Sequence, residues 1–125
     1  MLRFASVTAG AVAVLAGADA GAQAFPSRPV RMLTTVSAGS AVDFLSRTIG
    51  PKLSEAWGHQ LVIDNRPSAG GIVASQILVG ATPDGHTLLI NSIGHAVNAS
   101  LYSKLPYDTL RDFAGVTMVA DIPNV

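Results

Sequence analysis

Short apolar runs alternate along the chain with segments whose apolar residues recur at helical spacing. The short runs predict four strands, over residues 30–36, 61–64, 86–91 and 116–120. The other segments predict three helices: one over residues 41–58, one over 71–80, and a short one that ends near residue 102. Strands and helices that alternate with short loops indicate the α/β class, here a doubly wound parallel sheet with right-handed connections.

The first predicted helix has an N-terminal capping signal and a proline in its interior. Ser40 is available as its N-cap, and Asp43 lies in the first turn, where a negative charge suits the helix dipole. Gly50-Pro51 falls inside the helix, where proline lacks the amide that the hydrogen-bonded ladder needs. We therefore expect a kink at this point, or two short helices.

The first 24 residues have the pattern of a secretory signal peptide. Arg3 precedes a stretch of apolar and small residues over 4–18, and Ala22-Gln23-Ala24 fits the A-x-A pattern of a cleavage site. The stretch is shorter than the roughly 20 residues that a membrane-spanning helix needs, although an uncleaved membrane anchor is the alternative. We expect cleavage after Ala24, export, and a mature part over residues 25–125.

Composition excludes several classes of function. The chain has no cysteine, so its stability after export must come from packing alone. Eight Lys and Arg residues balance eight Asp and Glu residues without a basic run, which argues against nucleic acid and anionic membranes as partners. The three histidines are scattered, and neither metal-binding nor nucleotide-binding motifs occur, so we expect no metal and no cofactor.

Loops of small and polar residues follow the first three predicted strands, starting at Ser37, Asn65 and Asn91. In a parallel sheet the carboxyl ends of the strands meet at one edge, where ligands bind. Such loops expose backbone N–H groups, and a helix that begins there adds unpaired amides and the positive end of its dipole, so each loop is a candidate cradle for a carboxylate. The candidate ligand-binding residues are Ser37, Ala38, Gly39, Ser40, Asp43, Ser68, Ala69, Gly70, Gly71, Ser92 and His95.

Each loop also has a simpler structural interpretation. The first is compatible with an ordinary strand-to-helix turn with a serine cap, in which Asp43 is structural rather than in contact with the ligand. In the second, the glycines at 70–71 would let a ligand approach the backbone more closely than any Cβ permits, while Arg66 is expected on the solvated rim. In the third, Ser92 could lie at the lip of a pocket, or cap a helix with His95 in its first turn.

A catalytic alternative needs a serine, a histidine and an acid within mutual reach, and Ser92, His95 and Asp43 could supply them. The chain lacks the G-x-S-x-G elbow, and Ser37 lies in an S-A-G-S loop that does not present a strained nucleophile. We therefore expect a binding protein without catalytic residues. A secreted α/β hydrolase or esterase that uses Ser92 or Ser37 is the alternative from a different class.

With leader, loops and element order in place, residues 25–125 resemble the N-terminal part of the Bug/TctC family, the extracytoplasmic solute receptors of tripartite tricarboxylate transporters. Each motif is weak alone, but their order and spacing together are specific. The motifs are Phe25-Pro26-Ser27-Arg28-Pro29-Val30-Arg31, Ala38-Gly39 followed by Asp43, Asn65-Arg66-Pro67 with Ala69-Gly70-Gly71, Pro83-Asp84-Gly85, Asn98 with Ser100-Leu101-Tyr102, and Lys104-Leu105-Pro106-Tyr107-Asp108.

The resemblance implies a two-domain periplasmic binding protein, type II-like, of which this chain forms part of domain 1. It implies that solute carboxylate groups are held in the interdomain cleft by backbone amides and ordered water at the first two loops, residues 37–40 and 68–71 here. Such receptors are not enzymes, and they deliver solute to a membrane permease after closing by a hinge motion. We expect a small carboxylate and permease subunits as partners, and a monomeric intact protein.

The chain departs from the family pattern in sequence and in length. Thr35-Val36-Ser37 stands where the family usually has Pro-Phe-Pro, Ser68 replaces a usual glycine, and Pro51 interrupts a helix that is normally continuous. Family proteins are about two to three times as long, as two domains require. We therefore expect that the second domain and the returning strand of the first are absent, and that this fragment binds solute poorly, if at all.

Overall fold

The computed structural model describes residues 24–121 and has the predicted alternation of strands and helices. The predicted bounds of the first three strands and of the helices are confirmed to within a few residues. In chain order the elements are β1 (Val30–Thr34), α1 (Ala41–Trp57), β2 (Leu61–Asn65), a 3-10 turn (Ala69–Gly71), α2 (Ile72–Val79), β3 (Thr87–Ile90) and α3 (Gly94–Leu101).

The three strands form one parallel sheet in the order β2-β1-β3, which confirms the predicted fold class. The register pairs Thr34 at the end of β1 with Asn65 of β2 on one side and with Ile90 of β3 on the other. Because the carboxyl ends of the strands are level, the loops that follow them leave the sheet at one edge. This edge is where the sequence predicts the ligand.

Helices cover both faces of the sheet. Successive residues of a strand point to opposite faces, so each face has its own set of packed side chains. Val30 and Met32 of β1 belong to a core cluster that packs against α1. Leu33 is fully buried and points the other way, toward the face on which α2 contacts β1 and β3. The residues of the α1 cluster are Val30, Met32, Leu61 and Ile90, packed against Val42, Ile49, Leu53, Trp57 and Leu88.

Helix α1 begins and ends at the residues that the sequence predicts. Ser40 Oγ accepts a hydrogen bond from the amide of Asp43 at 3.3 Å, and Gly58 ends the helix in the left-handed conformation with φ 67°. The helix continues through Pro51 in one piece, so the expectation of two short helices is wrong. A Cβ built on Gly50 would lie 3.5 Å from Cδ1 of Ile63, so this stretch of the helix packs closely on β2. That packing holds the helix together where proline removes one hydrogen bond.

The predicted fourth strand is wrong, since the structure has no strand over residues 116–120. Val116 and Met118 are 82% and 80% exposed. A strand needs a hydrogen-bonded neighbour, and within the described residues the sheet ends at β3. An apolar pattern does not reveal whether such a neighbour is present, which explains the error.

Two further sequence predictions concern export. Residues 1–23 of the predicted signal peptide lie outside the described residues, so cleavage after Ala24 stays a prediction. No helix within residues 24–121 has the length and apolar character that crossing a membrane requires.

Candidate functional site

The candidate site is the sheet edge formed by the first loop (residues 35–40), the second loop (66–71) and the third loop (91–93), which we call the loop rim. Side chains tie two of these loops to neighbouring elements. Asn65, at the end of β2, donates to the carbonyl of Val36 in the first loop. Asn98 of α3 donates to the carbonyl of Gly70 in the second loop at 2.9 Å. The first loop is thus tied to β2 and the second loop to α3.

The Asp43 carboxylate holds the first loop from within. Its side chain is only 4% exposed, and one of its oxygens, Oδ2, accepts from the Gly39 amide and from Arg47 Nε, both at 2.9 Å. The other oxygen, Oδ1, accepts from Asn65 Nδ2 at 2.8 Å. The Arg47 guanidinium, the Gly39 amide and the Asn65 amide together lower the pKa of Asp43 to about 2. Asp43 is therefore charged at physiological pH and fully engaged by the protein, in agreement with a structural role.

The first turn of α1 presents two backbone amides toward the loop rim. Within the described residues, the hydrogen bonds at this end of the helix use the amides of Asp43 and Phe44, both directed at Ser40, and none uses those of Ala41 and Val42. Such orphan amides, together with the positive end of the helix dipole, form a site for an anion. Gly39 is different, since its amide is already bonded to Asp43.

The remaining residues of the first loop lie on the surface of the rim. Ser37 and Ala38 are exposed, and the Ser37 carbonyl accepts from the amide of Ser40 at 3.3 Å. The Ser40 hydroxyl is engaged as the helix cap. The structure therefore places Ser37, Ala38 and Ser40 at the start of α1, next to the amides of Ala41 and Val42.

The glycines of the second loop are in close contact with other parts of the protein. Gly70 and Gly71 have φ of 67° and 88°, a region that residues with a Cβ rarely adopt. A Cβ on Gly70 would lie 2.9 Å from Oδ1 of Asn98, and one on Gly71 would lie 2.6 Å from Cβ of Thr35. The space predicted to admit a ligand is thus occupied by Asn98 and Thr35, and the glycines allow the loops themselves to approach.

The rest of the second loop combines a buried hydroxyl with a paired cation. Ala69 lies in the 3-10 turn, and the Ser68 carbonyl accepts from the Gly71 amide at 2.6 Å. The hydroxyl of Ser68 is buried without a hydrogen-bond partner among the described residues. Arg66 is half-exposed and pairs with Asp64, with Nε 2.9 Å from Oδ1. This pairing agrees with the expected position of Arg66 on the rim.

The His95 side chain packs between α2 and a later segment of the chain. Its Nδ1 lies 3.2 Å from the Ser75 hydroxyl of α2, and its ring stacks on Tyr107 with 5.7 Å between centroids. Phe113 packs edge-on against the same ring at 4.7 Å. Burial lowers the pKa of His95, because the charged imidazolium loses water. The structure therefore places His95 in a packing cluster, while Ser92 is exposed at the rim.

The catalytic alternative finds no matching geometry. His95 pairs with Ser75 rather than with Ser92, and the Asp43 carboxylate is bonded to Gly39, Arg47 and Asn65. A nucleophilic serine requires hydrogen-bonded contact with its base, and the base with its acid. These three predicted residues do not form such a chain of contacts.

Two open cavities lie away from the loop rim, along the outer strand β2. One, of about 340 Å³, lies between α1 and β2 beside Pro51 and Gln60. The other, of about 440 Å³, lies on β1 and β2 beside Arg31 and Val62. Neither of these two cavities is lined by a residue of the three loops.

Sequence reasoning missed the residues that connect the loops. Asn65, Asn98 and Thr35 hold the rim together, yet none was a candidate. Two signals were available: Asn65 directly follows a predicted strand, where a polar side chain can reach the next loop, and both Asn65 and Asn98 belong to the motifs of the family resemblance. Asn98 and Thr35 act through contacts with distant segments, which the sequence alone does not reveal.

Solved structures of periplasmic binding proteins contain the same arrangement of parallel strands, loops and helices. BugD, a periplasmic binding protein, superposes with TM-score 0.67 and 29% identity over 71% of this chain and 30% of that one. MatC from Rhodopseudomonas palustris with bound malate gives TM-score 0.66 and 32% identity over 71% of this chain and 31% of that one. A protein from R. palustris with adipate gives TM-score 0.65 and 34% identity over 69% of this chain and 29% of that one.

The chain belongs to the TctC family, described as the tripartite tricarboxylate transporter family receptor, whose profile matches residues 45–125. It is 45% identical to a protein encoded in the tcbD-tcbE intergenic region of a Pseudomonas species, over 82% of this chain and 30% of that protein. It is 34% identical to BugT of Bordetella pertussis, over 86% of this chain and 34% of that protein. The chain thus spans about a third of these relatives. The family consists of solute receptors, not enzymes, so the hydrolase alternative is wrong.

Proposed function

We propose that this chain supplies one wall of a periplasmic receptor that binds a small carboxylate and delivers it to the permease of a tripartite transporter. The observation that carries the proposal is a pair of amides at the start of a helix of 17 residues, those of Ala41 and Val42, which make no hydrogen bond within residues 24–121. These amides open onto the same sheet edge as the second loop. A carboxylate there would accept both hydrogen bonds and interact with the positive end of the dipole.

The ligands of two relatives support a carboxylate as the solute. One solved relative was obtained with adipate and another with bound malate, and both compounds are dicarboxylates. Backbone amides recognise a carboxylate group without regard to the rest of the molecule, so the same rim would serve solutes of different length. The proposal therefore names the chemical class of the solute, a small dicarboxylate.

The charge of Asp43 does not prevent anion binding at this helix. Its carboxylate is buried, and it is paired with the Arg47 guanidinium at 2.9 Å. An opposite charge at that distance offsets much of the repulsion that a solute carboxylate would otherwise meet. Asp43 thus keeps the first loop in shape while Arg47 compensates its charge.

We also propose how this part fits the whole receptor. Residues 25–125 would form the N-terminal part of domain 1, with a second domain as the opposite wall of the cleft and a cleavable leader before Phe25. An open rim gives a solute only half of its contacts, and domain closure would complete them. We therefore expect weak binding by this chain alone, and a monomeric intact receptor.

The test removes one amide without removing the helix. Ala41 is the first helical residue, and the preceding Ser40 has φ −76° and ψ 167°, which a following proline accepts. Ala41→Pro deletes the Ala41 N–H group, whereas Ala41→Ser keeps it and serves as the matched control. Adipate binding is measured by NMR titration, with 1,6-hexanediol as the uncharged analogue.

The proposal expects binding of adipate but not of the diol, and an affinity about tenfold lower in Ala41→Pro, because a hydrogen bond to a charged group is lost. Ala41→Ser should bind like the parent chain. If Ala41→Pro and the parent chain bind adipate with equal affinity, the Ala41 amide does not bind the carboxylate group and this part of the proposal is contradicted. Equal binding of the diol would contradict recognition through carboxylate groups.

A further inference from the structure

The side chain of Asn65 connects β1, β2, the first loop and α1. Its Nδ2 lies 2.8 Å from Oγ1 of Thr34 and 2.8 Å from Oδ1 of Asp43, with the Val36 carbonyl at 3.2 Å. Its Oδ1 accepts from Nη2 of Arg47 at 3.2 Å. Both ends of the amide are thus engaged, with a donor group facing a carboxylate and an acceptor group facing a guanidinium.

An amide is the side chain that suits this position chemically. It offers donors to Asp43 and to the first loop, and an acceptor to Arg47, without adding a charge. A carboxylate at position 65 would place an oxygen 2.8 Å from the Asp43 carboxylate, where two like charges cannot both be ionised without a large cost. An aliphatic side chain would leave the buried Asp43 oxygen without its donor.

The contacts of Asn65 lead directly to the amides of the loop rim. Asp43, held by Asn65 through Oδ1, holds the amide of Gly39 through Oδ2. Gly39 has φ 85° and immediately precedes the helix cap, so its orientation sets the course of the chain into α1. When Asp43 is held in place, the start of α1 is held in place too, and with it the amides of Ala41 and Val42.

We propose that Asn65 is a positioning residue for carboxylate capture, an inference that rests on the proposed function. It orients Asp43 and, through Asp43, the first loop, so that the amides at the start of α1 are preorganised before the solute arrives. It also couples the first two loops, because the second loop follows Asn65 in the chain. Preorganisation raises affinity by removing the cost of ordering the loop at the moment of binding.

The surrounding charges define a specific test. On α1 the groups that face position 65 are Asp43 and Arg47. On its own strand the neighbouring charge is Asp64, which is paired with Arg31 and Arg66. In Asn65→Asp, the new carboxyl group and Asp43 would share a proton at lower pH, which restores a donor between them.

Malate binding is measured by NMR titration for the parent chain, Asn65→Asp and Asn65→Ala, between about pH 8 and about pH 5.5. Each affinity is divided by that of the parent chain at the same pH, so that the titration of malate cancels. The inference expects Asn65→Asp to bind at least about tenfold more weakly at the upper pH and to recover as the pH falls. Asn65→Ala should be weaker at every pH, without recovery.

The outcomes separate the inference from the proposed function. A folded Asn65→Asp that binds malate as the parent chain does at the upper pH would overturn the positioning role. If Asn65→Asp does not fold, Asn65→Ala provides the test instead. Malate binding by Asn65→Ala with the affinity of the parent chain would also overturn the positioning role. Parallel loss in both variants without pH recovery would reduce Asn65 to a structural residue and overturn the inference. Absence of binding of both malate and adipate by the parent chain would instead refute the proposed function, and the inference with it.

Discussion

Gly71 and Thr35 lie so close together that a Cβ on the glycine would be 2.6 Å from both Cβ and Cγ2 of the threonine. This contact joins the end of the second loop to the start of the first loop. The glycine pair of the second loop thus allows the first and second loops to approach each other closely. The shape of the loop rim therefore depends on contacts between the loops as much as on their individual sequences.

Gly71→Ala should destabilise the fold by about 2–5 kcal/mol, the sum of backbone strain at positive φ and overpacking against Thr35. The matched control is Gly39→Ala, since Gly39 has a similar φ of 85° but nothing within 4 Å of the position that a Cβ would take. This control should cost only the strain, about 1–2 kcal/mol. Urea unfolding measures both, and equal losses would contradict the proposed contact.

Asn98→Leu should destabilise the chain by about 1–3 kcal/mol, because Gly70 loses the donor to its carbonyl and a polar group is left unpaired. Asn98 is only 3% exposed, and its Nδ2 lies 2.9 Å from the Gly70 carbonyl oxygen. Ser100→Ala, at an exposed position of the same helix, is the control and should have little effect. If both substitutions give the same unfolding midpoint, the bond does not stabilise the second loop.

Stability should fall as the pH drops below about 6.5, the ordinary pKa of histidine, because burial lowers the pKa of His95 in the folded state. Between the lowered and the ordinary value, the unfolded chain binds more protons than the folded chain, so acid favours unfolding. The stabilising contribution is complete above the ordinary pKa and is lost toward the lowered one. Thermal unfolding across this range should show a smaller pH dependence in His95→Gln than in the parent chain, and an unchanged dependence would contradict the prediction.

Pro51→Ala should stabilise the chain by up to about 3 kcal/mol, because alanine restores the amide that α1 lacks and removes the steric conflict of the ring. The side chain is exposed, so little packing is lost. Lys52→Ala, at the next exposed position of the helix, is the control and should change stability by less than about half a kcal/mol. Destabilisation by Pro51→Ala would show that the proline stabilises the helix by some other route.

Local signals were sufficient to predict most of the secondary structure. The start of α1 follows from the Ser40 cap and its end from Gly58, both of which act within one helical turn. The parallel arrangement follows from alternation of strands with helices, which leaves few other topologies. Pro51 is the exception, since packing of α1 on β2 outweighs the local preference.

Features that depend on distant partners could not be predicted in the same way. The apolar pattern over residues 116–120 indicated burial but did not reveal whether a neighbouring strand was present. His95 was a candidate for the ligand site because it follows a loop, but its actual neighbours, Tyr107 and Phe113, come from a later segment. Asn65 was overlooked because its role depends on Asp43, 22 positions earlier in the chain.

The central claim is that backbone amides at the loop rim bind the carboxylate groups of the solute. The most direct measurement is the location of amide shift changes when malate is titrated into the ¹⁵N-labelled chain. The account predicts that the largest changes occur at Ala41 and Val42 and in the second loop, with little change along β2. Saturable changes confined to the cavities beside Gln60 and Val62, with the amides of Ala41 and Val42 unaffected, would contradict it.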